Sequence, residues 1–178
     1  MRVLVAYATK AGSTAEVAAE IGRVIGGEGD CVVDVRPVEQ LEGVDGYDAV
    51  VVGSGIRAGR WLPEAMKFVE SHRKALRRVP VALFAVCLTM REDTAENRSE
   101  VAAYLDPVCE VVQPVEVGLF AGVMDYDALP LLLRLMVKKM GAPEGDFRDW
   151  EAVRAWASQA SARLGVKRPA VRPAITGR

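Results

Sequence analysis

The start of the chain constrains the fold most, because an apolar run, a hydroxyl-rich loop and an amphipathic helical pattern follow one another there. The apolar run covers Arg2–Ala8 and is typical of a strand buried in a parallel sheet. The loop is 9–14, TKAGST, and apolar residues then recur at helical spacing. The first amides of a helix lack internal partners and lie at the positive end of its dipole. The junction therefore predicts an anion-binding site.

The residue types in this loop favour a phosphate. Gly12 lets the backbone approach closely, and the hydroxyls of Thr9, Ser13 and Thr14 can add donors. The chain has neither GxxxxGK[ST] nor GxGxxG, which argues against a triphosphatase loop and a dinucleotide loop. The pattern TxxGxT after a first strand resembles the FMN phosphate loop of flavodoxins. The alternative at this point is a plain turn before a helix capped by Thr or Ser.

Composition limits the class of protein. With 178 residues, 51% of them apolar and a formal net charge of −1, we expect one globular domain without a nucleic-acid signature. Cys31, Cys87 and Cys109 are widely spaced and odd in number, which indicates reduced thiols in a cytoplasmic protein. A single histidine offers no metal site. We expect no signal peptide and no membrane span, because the first strand begins at once and no apolar run is long enough.

Strand and helix patterns alternate along the chain. Strands are predicted at 2–8, 31–36, 48–54, 81–88 and 111–121, the last one split near Pro114. Helices are predicted at 13–26, 62–76, within 92–105, at 128–140 and at 149–164. This alternation predicts an α/β fold with a doubly wound, five-stranded parallel sheet. The resemblance of the first loop to flavodoxins implies the strand order 2-1-3-4-5. We expect one domain over 1–164 and a mobile basic tail over 165–178.

Such sheets bind ligands beyond the C-terminal ends of their strands. The loops 9–14, 53–61 and 87–93 are therefore expected to form one site. The glycines within 53–59 suggest a backbone that lies close to a flat ring, such as a flavin. Trp61 either covers a face of that ring or packs at a helix start. Arg57 either places charge near the flavin or substrate carboxylates, or is a solvated loop cation.

Longer motifs narrow the family: TKAGST, GYDAVVVGSGIRAGRW, GLFAGVMDYDALPLLLRLMVKKMG and DWEAVRAWA. Together, over Met1 to about Ala160, they resemble the menaquinone-dependent protoporphyrinogen dehydrogenases, flavodoxin-like proteins of haem biosynthesis. The resemblance implies FMN as cofactor, a porphyrinogen as substrate and a quinone or other respiratory acceptor. No side chain stands out as an acid or base. The expected FMN contacts in the three loops are Thr9, Lys10, Ala11, Gly12, Ser13, Thr14, Ser54, Gly55, Ile56, Arg57, Ala58, Gly59, Trp61, Cys87, Leu88 and Thr89.

The chain departs from this resemblance at two places. The segment after the fourth strand is strongly basic in the family, whereas 90–97 here carries Glu92, Asp93 and Glu96, which would repel the propionates of a porphyrinogen. Gly55 stands where a small polar residue is expected. Two other functions stay open: an electron-transfer protein without a small substrate, and an NAD(P)H:quinone reductase. Homo-oligomer formation is also left open.

The predicted helix 129–140 has two interpretations, and a composite of them is also open, in which the apolar face packs in the core and only the lysines face lipid. Its apolar face is accompanied by three cations, Arg134, Lys138 and Lys139. This combination is typical of a helix that lies on an anionic membrane surface. The preferred alternative is an ordinary helix that covers the sheet, with cations near its C-terminus. In both interpretations the apolar face of the helix is formed by Leu129, Leu132, Leu133, Met136 and Met140. A peripheral position on the inner face of the cell membrane is therefore an open expectation.

Overall fold

The computed structural model describes residues 1–127, 131–139, 141 and 143–167, with the backbone alone at 133 and 137. In chain order the strands are β1 Arg2–Ala8, β2 Val32–Pro37, β3 Ala49–Arg57, β4 Arg60–Trp61, β5 Val81–Val86, β6 Glu116–Phe120, β7 Val123–Met124 and β8 Gly145–Asp146. The main sheet is parallel in the order β2-β1-β3-β5-β6, and β4 pairs with β3 in antiparallel fashion. This confirms the predicted order, because the short β4 only shifts the later labels by one.

Helices cover both faces of this sheet. The described helices are α1 Ser13–Glu28, α2 Pro63–Leu76, α3 Ala95–Ala103, α4 Asp106–Val111, α5 Leu131–Lys139 and α6 Trp150–Arg163. Of these, α1 and α6 contribute to the core on one face, and α2, α3 and α4 contribute to the core on the other. Side chains alternate across β1, so that Val3 packs in the core with Ile21 of α1, whereas Leu4 packs in the opposite core with Val69 of α2. Strands buried on both faces explain the unbroken apolar runs in the sequence.

Two predicted element ends that lie at or next to a glycine were wrong. Helix α1 continues through Gly26 to Glu28, although the sequence suggested that it ends at Gly26. A Cβ on Gly22 would lie 2.4 Å from Cγ2 of Val35. Glycine at this position therefore permits close packing of α1 against β2 and does not mark a helix end. Strand β3 runs beyond Ser54 to Arg57, because its end pairs with β4 in a hairpin.

The region between β5 and β6 also differs from the prediction. Strand β5 ends at Val86, since Leu88–Arg91 forms a 3₁₀ turn. Helix α3 begins after Thr94, whose hydroxyl accepts a hydrogen bond from the amide of Asn97. The predicted strand 111–121 begins only at Glu116, because residues Asp106–Val111 form the unforeseen helix α4. Pro114 therefore lies before the strand and does not split it.

The end of the described chain packs against the domain. Val166 is buried, and a Cβ on Gly29 would lie 2.4 Å from the carbonyl oxygen of Lys167. The first part of the predicted tail is therefore attached to the turn after α1. Residues 168–178 lie outside the described residues, and the division into a domain and a tail stays a prediction.

Candidate functional site

A cavity of about 790 Å³ opens at the C-terminal ends of β1, β3 and β5. The three predicted loops meet there, at the edge where a doubly wound sheet binds its ligand. Predicted residues that line the cavity are Thr9, Lys10, Ala11, Ser13, Thr14, Gly55, Ile56, Arg57, Ala58, Gly59, Cys87, Leu88 and Thr89.

The loop after β1 leaves the start of α1 without a side-chain cap. Gly12 is the N-cap residue and has a φ of 90°. No described side chain accepts a capping hydrogen bond from the first amides of the helix. The Gly12 amide donates to Oγ1 of Thr9 over 3.0 Å, which closes the loop on itself. The first bonds inside the helix are made by the amides of Ala15 and Glu16, which both donate to the carbonyl of Gly12. The amides of Ser13 and Thr14, which come before them, have no acceptor within the helix. The cavity therefore ends at an open helix N-terminus beside Ser13 and Thr14.

The end of β3 approaches this loop closely. Thr14 is only 2% exposed, although it lines the cavity. A Cβ on Gly55 would lie 3.3 Å from Oγ1 of Thr14. Glycine at this position, where the resemblance leads us to expect a polar residue, therefore fits the close approach of the two loops. At the next turn Ala58 adopts a positive φ of 49, which is uncommon for a residue with a side chain.

Three predicted contacts do not line the cavity: Gly12, Ser54 and Trp61. Ser54 is fully buried; its hydroxyl donates to the carbonyl of Gly55 over 2.8 Å and accepts from the amide of Leu62 over 3.0 Å. Trp61 is 6% exposed and packs in the core just before α2. Its placement matches the interpretation of an aromatic residue packed at a helix start.

Several lining residues escaped the sequence analysis: Glu16, Leu62, Val86, Tyr104, Gly122, Val123, Met124 and Arg148. Asp125, just after β7, also lines the cavity. Tyr104 follows α3, and a Cβ on Gly59 would lie 3.2 Å from its Cε1. Its hydroxyl donates to Glu100, which raises the pKa of Tyr104. No local pattern marks Tyr104, because only the tertiary fold brings it to the loop after β3.

Charged residues near the loop 9–14 form ion pairs. Nζ of Lys10 lies 2.5 Å from Oε1 of Glu64, and this hydrogen bond lowers the pKa of Glu64. Nη1 of Arg148 lies 2.9 Å from Oε2 of Glu16, and Nη2 lies 2.6 Å from Oδ2 of Asp146. The hydrogen bond with Arg148 is the largest cause that lowers the pKa of Asp146.

The acidic segment 90–97 borders the cavity. Leu88, Thr89, Arg91, Glu92 and Asn97 line a second cavity of about 350 Å³, which shares Leu88 and Thr89 with the first. Nη2 of Arg98 lies 2.6 Å from Asp93, and Nε of Arg91 lies 3.4 Å from Glu92. The repulsion that the sequence suggested is therefore partly offset by Arg91 within the segment and by Arg98 directly after it.

Helix α5 does not cover the sheet with the apolar face that the sequence suggested. Leu132 is 76% exposed and Met136 is 55% exposed, so the preferred cover-helix interpretation was wrong for these residues. Leu131 and Leu135 are exposed as well. Leu129 and Met140, which the prediction placed on the same face, lie outside the described residues. Among the described helices, none has the length and hydropathy needed to cross a bilayer.

The described residues offer no grouping of His, Cys, Asp and Glu that could hold a metal ion. The cysteines described are all free thiols, and burial raises the pKa values of Cys31 and Cys109. Cys87 lines the cavity at the end of β5 and is 9% exposed. It is both a small core residue and a neighbour of the cavity.

Comparisons with known proteins agree with this geometry. The most similar relatives include the protoporphyrinogen IX dehydrogenase [quinone] of Escherichia coli (strain K12), 28% identical over 174 residues, with 89% of this chain and 94% of the relative covered. The protein of the same name from Leishmania major is 28% identical over 176 residues, with 90% and 75% covered.

Solved structures share the fold. A flavodoxin from the domain Archaea has a TM-score of 0.56 at 17% identity, with 92% of this chain and 99% of that chain covered. An NADH:FMN oxidoreductase in its apo form has a TM-score of 0.57 at 11% identity, with 97% and 91% covered. A family model described as a flavodoxin domain matches residues 4–150. The chain therefore belongs to the flavodoxin domain family.

Proposed function

We propose that this protein is an FMN-dependent oxidoreductase that oxidises protoporphyrinogen IX to protoporphyrin IX and passes the electrons to a quinone-type acceptor. The observation that carries the proposal is the cavity at the ends of β1, β3 and β5, which joins an uncapped helix start to a glycine-rich strand end. The relatives named protoporphyrinogen IX dehydrogenase [quinone] support the substrate and the acceptor.

The residues present fit FMN. One phosphate requires one anion site, and the open start of α1 beside Ser13 and Thr14 supplies it. Gly55 lines the cavity and has no side chain, so main-chain atoms form the cavity wall at this position. A flat ring can lie against such a wall. A volume of about 790 Å³ lies within the range of cofactor cavities. Bound FMN supplies a hydride acceptor, and the chain supplies binding and orientation.

The cavity rim suits a substrate that carries carboxylates. Arg57 lines the first cavity and is exposed, while Arg91 lines the second, which shares its wall. Guanidinium groups at such positions can pair with propionates and orient a tetrapyrrole towards the cofactor. Tyr104 borders the same opening and adds an aromatic surface. In this role the side chains bind and position the substrate, and none acts as an acid or base.

Turnover under anaerobic conditions tests this function. FMN-loaded protein is mixed with protoporphyrinogen IX and menadione, and porphyrin fluorescence is followed. We expect porphyrin formation that depends on protein, FMN and menadione, and that falls in Arg57→Ser without loss of bound FMN. Free FMN with menadione is the control for uncatalysed oxidation. Turnover of NADH with menadione but not of porphyrinogen would assign the protein to the quinone reductases. Loaded protein that turns over neither substrate would favour an electron-transfer protein.

We propose in addition a peripheral membrane contact through α5. Its exposed apolar side chains stand beside Arg134, Lys138 and Lys139, a combination that suits an anionic bilayer surface. The helix lies in the chain between β7 and β8, which pair with each other, and Val123 and Met124 of β7 line the cavity. A contact there would bring the cavity near a quinone dissolved in the bilayer.

A further inference from the structure

Arg148 lies where the cavity meets the start of α1. It is distant in sequence from the loop 9–14, which precedes that helix. Its side chain is only 9% exposed, and it lines the cavity together with Glu16 of α1. We infer that Arg148 makes the cavity selective for a phosphorylated flavin, by neutralising Glu16 and offering its guanidinium to the phosphate. The inference rests on the proposed FMN function and adds a specificity-determining residue to it.

Glu16 presents an electrostatic problem for an anion. It stands in the first turn of α1, and its amide donates to the carbonyl of Gly12 over 3.3 Å. Glu16 also lines the cavity together with Ser13 and Thr14, at the helix start that would receive a phosphate. Like charges repel one another, so a carboxylate that faces the same cavity disfavours binding of a dianion. A compensating cation is needed for the helix start to act as an anion site.

Arg148 provides that cation in a fixed position. Its Nε and Nη2 donate to the two carboxylate oxygens of Asp146 over 2.8 and 2.6 Å, and its Nη1 donates to Glu16 over 2.9 Å. Its guanidinium carbon lies 4.6 Å from the centre of the Trp150 ring. A guanidinium carries five N–H donors, more than these three bonds use. Removal of Arg148 would leave two carboxylates, Glu16 and Asp146, without this cation beside the loop.

The chain contains a matched control. Arg154 of α6 lies 2.5 Å from Glu20 of α1, so it makes the same type of ion pair to α1 as Arg148, which stands two residues before α6. Neither Arg154 nor Glu20 lines the cavity. A structural role in holding the chain around the start of α6 against α1 would be shared by both arginines, whereas phosphate selectivity would belong to Arg148 alone.

The test is titration of the flavin-free protein with FMN and with riboflavin, followed by flavin fluorescence. In Arg148→Met we expect FMN affinity to fall about tenfold or more, because a charge-assisted hydrogen bond and a neutralising charge are lost. Riboflavin affinity should change less than about twofold, since it has no phosphate. Arg148→Lys should keep part of the selectivity, Glu16→Gln/Arg148→Met should recover part of it, and Arg154→Met should keep all of it.

The outcomes separate the two proposals. An unchanged ratio of FMN to riboflavin affinity in folded Arg148→Met overturns the inference, as does an equal change of that ratio in Arg154→Met. Thermal melts and circular dichroism identify variants that fail to fold, in which case Arg148→Lys and Glu16→Gln carry the comparison. If the unsubstituted protein binds neither flavin, the proposed FMN function fails and the inference fails with it.

Discussion

Nζ of Lys10 lies 2.5 Å from Oε1 of Glu64, so the loop after β1 is joined to the first turn of α2. The other oxygen of Glu64 is buried and has no hydrogen-bond partner among the described residues. Lys10 is 53% exposed, so we expect this ion pair to contribute little to stability. Its consequence is electrostatic, because Glu64 offsets a cation that borders the phosphate loop.

The first prediction concerns this pair. Glu64→Gln should raise FMN affinity by about twofold to threefold, since it removes a negative charge near the anion site while the chain keeps Lys10. Lys10→Met should lower it. The dissociation constants are measured by fluorescence titration at low and high salt, and the differences should shrink as salt screens the charges. Equal affinities in all three proteins would show that Lys10 and Glu64 do not act on the cofactor.

The second prediction concerns the core beneath the site. A Cβ on Gly53 would lie 1.9 Å from Cζ of Phe84, a buried side chain in the neighbouring strand. Gly53→Ala should therefore lower the free energy of unfolding by about 1–3 kcal/mol, as overpacking does. Gly27→Ala is the matched control, because a Cβ there meets nothing within 4 Å, and a helical alanine should stabilise by about 0.5–1 kcal/mol. Urea unfolding measures both, and equal effects would contradict the packing at Gly53.

The third prediction concerns acid stability. The hydrogen bond with Arg23, followed by that with Arg154, lowers the pKa of Glu20 from 4.5 to about 2. A lowered carboxyl pKa stabilises the fold above the ordinary pKa, and this contribution is lost as the pH falls from 4.5 to about 2. Glu20→Gln should therefore lower the free energy of unfolding at pH 7 by about 1 kcal/mol, allowing for screening by solvent. Urea unfolding from pH 7 to pH 2 should show this difference disappear, and a constant difference would contradict it.

The fourth prediction concerns the acidic segment after β5. Glu92 lines the second cavity, whereas Asp93 does not and is paired with Arg98. If the substrate carries propionates, Glu92→Lys should lower KM for porphyrinogen severalfold by removing repulsion and freeing Arg91. Asp93→Lys, the matched control, should change KM less. Steady-state kinetics at two salt concentrations measure the effect, and equal KM values in all three proteins would place the propionates elsewhere.

The fifth prediction concerns α5. We expect the protein to sediment with anionic vesicles at low salt, to bind neutral vesicles weakly and to be released by salt. Lys138→Glu/Lys139→Glu should abolish binding, whereas Arg73→Glu/Lys74→Glu, the same change in the last turn of α2, should not. A chain that ends after Lys167 should still bind. Equal sedimentation with both vesicle types, or with neither, would remove the membrane contact from the account.

Sequence reasoning located the parts of the site that are contiguous in the chain. Residues 9–14 and the start of α1 form one local unit, so their pattern predicts an anion site without knowledge of the fold. The same holds for the presence of the buried parallel strands, because each of them is an apolar run in the sequence, whereas their order came from the resemblance to flavodoxins. The three loops that were expected to meet do line one cavity.

Contacts made only in the tertiary structure were missed. Arg148 and Glu16 are 132 positions apart, and Arg148 closely follows β8, whose two-residue pairing with β7 leaves no periodic signal in the sequence. Trp61 was ambiguous because the two-residue strand β4 decides which way it packs. For α5 the pattern gave an apolar face but could not say whether that face meets the sheet or solvent. Such choices depend on neighbours that are distant in sequence.

Titration of the flavin-free protein with FMN tests the central claim most directly. The account predicts saturable quenching of flavin fluorescence with one FMN per chain, and weaker binding in Thr14→Ala than in Thr14→Ser, because serine keeps the hydroxyl that borders the helix start. A folded protein that leaves FMN fluorescence unchanged at every concentration would contradict the account.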